Sequence, residues 1–442
     1  MSPHPYRVAI IGAGTSGLAA AVTLCSAESE RPVAVTVFES RREAGGRTRS
    51  FVDSETGDIL DNGQHLLMGC YTSTLQYLRT IGAEHLLQKQ NSLELPFVLP
   101  TEQRMSVVKL PRHVPVPLNL LIGLLRNDLL HRYEKIAALR FGFGIMMFNY
   151  DKKMAMGSCA DLFRYAHQPV TLIKKLWEPI VVGTMNLPPD KASAQVFLHT
   201  LRLVFLQNKR FSALLFPKVG LSDLLINPAL LYLEAQGCRI SYGQQIHSIT
   251  AGNNLIYLET EDRRDVFDAA IFAGNYHDIS FLPEEIRLPT PSVTYSPIVN
   301  AYFWTDKKIV GLPICGFIGT TLQWSFTKPS HFSAELIACT MSAAEDMIKK
   351  DNDEIARIFW YDLMRSFPDN DAHLLRSVII KEKRATPLLD ARLQMIRPKT
   401  RTTVPNLYLA GDLVQNGLPM TIEGAVLNGQ KAAKEVLAFA TL

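Results

Sequence analysis

Hydrophobic positions run along this chain in two patterns. Near the start, Val8, Ala9, Ile10 and Ile11 form a short unbroken apolar run, as expected for a parallel strand buried on both faces. Residues 18–22, apolar and alanine-rich, predict a helix lying on that strand. Residues 33–38 predict a second buried strand. A strand, a helix and a strand in so short a span open a doubly wound sheet. Farther on, residues 72–81 predict a helix with Leu75 and Leu78 on one face and Gly82 as its C-cap. Strand-like pieces surround Phe97 and Val107, and apolar runs cover 114–125 and 141–148. Residues 193–205 predict an apolar helix, and 223–236 a helix ended by Gly237. Short strands are expected at 239–242, 245–250, 254–259 and 266–273. Alternation over 298–304 predicts a further strand, 353–365 a helix, and 406–412 a buried strand leading to a last helix through Gly429. Repeats and low-complexity segments are absent.

Chemistry enters at the ends of those strands. Gly12, Gly14 and Gly17 follow the first strand in G-x-G-x-x-G spacing. Gly12 makes the tight turn, Gly14 lets backbone approach a pyrophosphate, and Gly17 lets helix and strand pack closely. The anion then rests at the helix start, where Ser16 stands. Glu39, at the tip of the second strand and 22 residues after Gly17, is placed to accept from a ribose hydroxyl. The loop beyond it carries Gly45 and Gly46, which permit close approach, and Arg47, which reaches phosphate bidentately. Near the other end, Gly411 and Asp412 close a strand, and Thr421, Ile422 and Ala425 open a helix whose N–H groups favour negative charge.

Gly45-Gly-Arg-Thr48 resembles the element that contacts FAD in the flavin amine oxidase and phytoene desaturase superfamily. In that superfamily Asp412 would accept from the flavin ribitol, the 421–425 helix start would face the N1/O2 edge of the ring, the turn at Gly63 would carry backbone toward the flavin, and Ile246 would lie against the adenosine. Three longer blocks, residues 60–69, 177–197 and 417–426, resemble the hydroxysqualene dehydroxylase family, also called squalene-associated FAD-dependent desaturases. That resemblance spans nearly the whole chain. It implies that a C30 allylic alcohol, hydroxysqualene, loses water and takes hydride from reduced FAD, in squalene or hopanoid synthesis. Gln64 and His65 would orient or protonate the leaving hydroxyl, and Glu423 would support the reduced flavin. Each also has a structural reading: His65 as a bonded core histidine, Glu423 as a helix-start acid complementing the dipole. Residues 413–416 depart from the family, where many members carry tryptophan or a threonine-rich stretch. The lysine and aromatic residue usual in amine oxidases are missing from 296–302 and from the vicinity of Thr421. A carotenoid- or phytoene-desaturase-type enzyme is the nearer alternative, and a non-catalytic FAD-binding protein a third.

The expected fold class is therefore α/β. A discontinuous Rossmann-like FAD-binding domain (1–85, 211–279 and 396–442) joins a second α+β substrate domain (86–210 and 280–395). The chain has 442 residues, 47% hydrophobic and 20% charged, enough for a large core. A net charge of +4 is too mild to imply nucleic acid. Six cysteines without a C-x-x-C pair argue against zinc or a disulfide frame and fit reduced thiols. No leader pattern precedes the first strand and no apolar run reaches the length of a membrane span, which together predict a cytoplasmic protein. Residues 101–180 hold twelve Lys/Arg against six Asp/Glu, beside the apolar runs. This combination fits either a peripheral contact with the inner membrane face or an ordinary helical cap with a solvated face. The long apolar stretches at 114–148 and 194–206 would line a substrate tunnel or serve as core. No second nucleotide fingerprint is present, which leaves the electron donor open.

Overall fold

The computed structural model describes residues 4–29, 31–147, 150–276, 279, 281–284 and 293–440. At its centre lies a parallel sheet of five strands, ordered Arg239–Tyr242, Val33–Glu39, Tyr6–Ile11, Ala269–Phe272 and Leu407–Leu409. Alternation explains its two faces. Val8, Ile10, Val35 and Val37 pack under the helices Thr15–Cys25 and Ile422–Ala440. Ala9, Ile11 and Phe38 face the other way, toward Ile249, Ile256 and Phe267 of a small antiparallel sheet. Val8, Ile10 and Val37 are fully buried, each contributing about 1.5 to 3 kcal/mol of transfer free energy.

A second sheet of seven strands is ordered Leu374–Pro387, Tyr295–Thr305, Glu335–Ser342, Trp324–Lys328, Ile314–Phe317, Glu94–Leu99 and Arg104–Lys109. Its neighbours are antiparallel except where Ile314–Phe317 meets Glu94–Leu99. Helix Asn352–Ser366 covers one face with Ile355, Phe359 and Leu363. A helical region includes Leu118–Arg126, Arg132–Met147, Glu178–Met185 and Ala194–Arg202. Among the described residues no helix is long and apolar enough to cross a membrane.

Several expected elements shift for local reasons. The run at 114–125 becomes helical only from Leu118, because Pro115 and Pro117 hold the preceding residues out of a helix. The run at 141–148 lies in helix Arg132–Met147, and Phe148 falls outside the described residues. The strand expected at 266–273 divides into Arg264–Phe267 and Ala269–Phe272. Asp268 breaks it by turning its carboxylate onto the Arg7 amide, 2.7 Å away. The helix expected at 223–236 starts with a widened turn, Ser222–Ile226, and continues as Asn227–Ala235; Pro228 has no N–H to give that turn. The strand expected at 245–250 begins only at Ser248, which leaves Gln245 and Ile246 free to line a cavity.

Candidate active site

Strand Tyr6–Ile11 ends in Gly12 at φ +106°, a conformation that glycine holds without strain. A side-chain carbon on Gly17 would lie 1.9 Å from the Gly12 carbonyl oxygen, so the helix is seated directly on the turn. Of the site residues expected from the sequence, Gly17 alone is off the cavity wall, and its task is packing. Gly14 ends the turn without a side-chain cap for helix Thr15–Cys25, leaving the first N–H groups without side-chain partners. A side chain on Gly14 would meet nothing within 4 Å. The Ser16 hydroxyl is buried and has no hydrogen-bond partner. Glu39, buried at the tip of its strand, accepts from the Ala13 amide at 2.8 Å and the Arg41 amide at 2.9 Å. Gly45 at φ +109° and Gly46 at φ +61° bring the next loop against this turn. An uncapped helix start, an orphaned hydroxyl, an open glycine and a fixed carboxylate together fit the pyrophosphate and ribose of a dinucleotide such as FAD.

Arg47 crosses to the C-terminal segment. Its guanidinium meets Asp412 Oδ1 at 2.8 Å and the Ala385 carbonyl at 2.9 Å. Burial works against the Arg47 charge, but the Asp412 carboxylate outweighs it and holds the pKa above the usual arginine value. Gly411, at φ +119°, turns the chain into the loop after Leu407–Leu409. A residue that sequence reasoning missed fixes this loop: the buried Arg397 donates to the carbonyls of Asp412, Leu413, Val414 and Leu418. Burial, partly offset by Asp412, pushes its pKa down to about 10.

The turn after strand Ile59–Asp61 is held just as firmly. Asp61 accepts from Ser50 Oγ at 2.7 Å, the Leu221 amide at 2.9 Å and Lys328 Nζ at 2.8 Å. The Tyr302 hydroxyl donates to the Asp61 carbonyl at 2.8 Å, and Gln64 Nε2 donates to that hydroxyl. Gly63, Gln64 and His65 consequently stand on the cavity wall. His65 Nδ1 is 2.8 Å from the Gly63 carbonyl. A carbonyl only accepts, so the neutral ring carries its proton on Nδ1. Burial is the main cause that lowers the His65 pKa; Lys328 and Arg47 add to it, and the Gly63 carbonyl and Asp61 oppose it.

Glu423, expected to support the reduced flavin, lines the cavity, and its carboxylate is engaged by the start of another helix. Its carboxylate accepts from the amides of Ser73 and Thr74, both at 2.9 Å, and from the Thr74 hydroxyl at 2.7 Å. It caps helix Thr72–Thr80, whose own N-cap residue, Tyr71, makes no capping bond. Burial raises its pKa against the pull of those donors. Thr421 Oγ1 accepts from the Gly424 amide at 3.3 Å, and Thr421, Ile422 and Ala425 all line the cavity.

These parts enclose one cavity of about 1050 Å³. Its wall takes in Gly12, Glu39, Arg47, Ile246 and Asp412 of the nucleotide cradle, Gly63 and His65 of the turn, and a large set of apolar side chains. Phe97, Leu110, Leu124, Trp177, Phe205 and Trp324 belong to that set. The apolar wall meets the surface at Leu118, Leu121, Phe143 and Met146, which are both cavity-lining and exposed. A volume of this size, at the top of the range of about 300 to 1,000 Å³ for small-molecule sites, has room for a dinucleotide and a long ligand.

The family model described as "Flavin containing amine oxidoreductase" matches residues 15–437. The chain belongs to this family. It is an FAD-dependent oxidoreductase with the mixed α/β architecture expected of one. A protein of Sinorhizobium fredii named hydroxysqualene dehydroxylase is 30% identical over 97% of this chain and 98% of its own. A 15-cis-phytoene desaturase of Synechococcus elongatus is 25% identical over 98% and 96%. In fold, an oxidoreductase of Methanosarcina mazei superposes with a TM-score of 0.72 at 16% identity, covering 97% of this chain and all of its own.

Proposed function

We propose that this flavoprotein reduces hydroxysqualene to squalene with loss of water. The observation that carries the reading is the make-up of the cavity wall: beyond the nucleotide cradle and the turn at Gly63, Gln64 and His65, it is lined mainly by apolar side chains, several of them exposed at the surface. A hydrocarbon chain with one hydroxyl at its reacting carbon matches that distribution. Likeness to the hydroxysqualene dehydroxylase of Sinorhizobium fredii over nearly the full length supports it.

The residues divide the work. Gly12, Gly14 and Ser16 would hold the FAD pyrophosphate and Glu39 the ribose, with Gly45, Gly46, Arg47 and Ile246 flanking. Gly411, Asp412, Thr421, Ile422 and Ala425 would hold the ribitol and ring. Reduced FAD, when bound, supplies a hydride to carbon. His65 keeps one proton on Nδ1 against the Gly63 carbonyl; in the imidazolium form it carries a second on Nε2, the proton given to the departing oxygen. The allylic C–O bond breaks, the oxygen leaves as water, and a C–H bond replaces it. Apolar walls keep bulk water from the cation formed at that carbon. Gln64, tied to Tyr302, orients the turn. The reducing equivalents come from a donor outside this chain. Entry from the inner face of a membrane, through the mouth at Leu118 and Phe143, accounts for the exposed apolar rim.

Anaerobic incubation of the FAD-reduced protein with hydroxysqualene, followed by mass analysis, tests this. Squalene should accumulate in step with flavin reoxidation. Phytoene serves as the competing substrate. Desaturation of phytoene by the oxidised protein, with no squalene from the alcohol, would overturn the proposal and favour the desaturase reading.

A further inference from the structure

Asn300 lies at the middle of strand Tyr295–Thr305, between Ile298 and Tyr302 on the same face. It is fully buried, and it belongs to the wall of the cavity. Thr340, its register partner on the neighbouring strand, donates to Asn300 Oδ1 at 2.7 Å and so fixes which way the amide turns. The other half of the amide, Nδ2, has no hydrogen-bond partner. A side-chain carbon built on Gly63 would lie 3.7 Å from Asn300 Nδ2 and 3.6 Å from His65 Cε1. The orphaned donor and the histidine therefore flank the same bare glycine.

Leaving an amide donor buried without an acceptor destabilises a protein, and buried polar groups are otherwise nearly always satisfied. Nearby donors are already engaged: the Tyr302 hydroxyl with the Asp61 carbonyl, Gln64 Nε2 with the Tyr302 hydroxyl. Cavity walls around this point include the apolar side chains Ile298, Ile314 and Phe326. An occupant able to satisfy Nδ2 must bring its own acceptor. We propose that Asn300 is the specificity residue for the substrate's oxygen: its Nδ2–H donates to one lone pair of the hydroxyl, with His65 placed to reach the other. This rests on the dehydroxylase reading and names the group that distinguishes an isoprenoid alcohol from the hydrocarbon product. Loss of the oxygen as water removes the acceptor, which weakens the hold on product.

The test compares hydroxysqualene with squalene, each titrated into the oxidised FAD-loaded protein and followed by the change in flavin absorbance. Asn300→Leu should weaken alcohol binding by about 10- to 100-fold and leave squalene binding within about twofold. Asn300→Leu/Thr340→Val removes the partner hydroxyl as well and should show the same selective loss. Because an unsatisfied donor is replaced by apolar volume, the double variant without substrate should melt at or above the wild-type temperature. Equal losses for alcohol and hydrocarbon, or a lowered melting temperature with alcohol preference intact, would make Asn300 purely structural and overturn the inference. Wild-type protein that binds neither compound overturns the dehydroxylase reading itself, and this inference with it.

Discussion

A histidine with Nδ1 tied to a carbonyl has only Nε2 to offer, and at His65 the tie is to Gly63, two residues back. Burial then disfavours the second proton, so His65 titrates below the usual value of about 6.5. The sign of the pH dependence follows. If the imidazolium donates to the departing oxygen, its fraction falls as pH rises through a midpoint below 6.5, and kcat/KM should fall with it. The imidazolium that remains is a stronger acid than a free one, which partly compensates for its scarcity. His65→Phe should retain FAD, lose this limb and turn over roughly 100-fold more slowly, the usual scale for losing an acid catalyst. A pH–rate profile for both forms checks it. Near-normal turnover in the variant with FAD intact would make the histidine structural.

At the scale of elements, two helices define the nucleotide cradle, and one glycine sets their separation. A side-chain carbon on Gly429, in helix Ile422–Ala440, would lie 2.2 Å from the Ser16 carbonyl oxygen of helix Thr15–Cys25. Both groups are backbone or fixed to it, so neither can swing aside. Gly429→Ala should lower stability by about 1 to 3 kcal/mol, as overpacking does, and weaken FAD retention because Ser16 itself must move. Thermal melts and the FAD-to-protein ratio after gel filtration measure both; unchanged values would show that the helices can part freely. How much of this was legible in the sequence depends on distance along the chain. Gly12, Gly14, Ser16 and Glu39 could be read because strand, turn and helix are contiguous and the spacing carries the geometry. Glu423 could not, since the amides it caps lie 349 and 350 residues away and no local pattern links them. Arg397 was missed for a related reason: its acceptors are backbone carbonyls, which leave no mark on residue type. Asn300 and Tyr302 sat inside a correctly expected strand, but alternation shows which face they share and not what they meet there.

For the molecule as a whole, the question is why a large apolar cavity opens where it does. The runs at 114–125 and 141–148 were legible as apolar, while whether they formed core, tunnel or surface was not, because periodicity alone does not show what a helix packs against. The structure gives all three roles to the same two helices. Phe141 and Ile145 are buried, Leu124 lines the cavity, and Leu118, Leu121, Leu125, Phe143, Met146 and Met147 are exposed. Arg112, Arg126, Arg132 and Arg140, all exposed, belong to the same stretch. A rim of this composition suits the surface of an anionic bilayer: each basic residue near the surface contributes about 1 kcal/mol at low salt, and each apolar side chain that inserts adds about 1.5 to 3 kcal/mol. Binding to vesicles with anionic lipid should exceed binding to neutral ones and decline as salt rises, since the Debye length shrinks to about 8 Å at physiological ionic strength. Leu125 and Met147 lie on the rim but not on the cavity wall. Leu125→Glu/Met147→Glu should therefore cut vesicle binding at least tenfold while leaving turnover of detergent-dispersed substrate near normal. Co-sedimentation with vesicles and a detergent assay separate the two effects. Equal, salt-independent binding to both vesicle types would remove the electrostatic contribution, and no binding to either would mean that the rim meets something other than lipid.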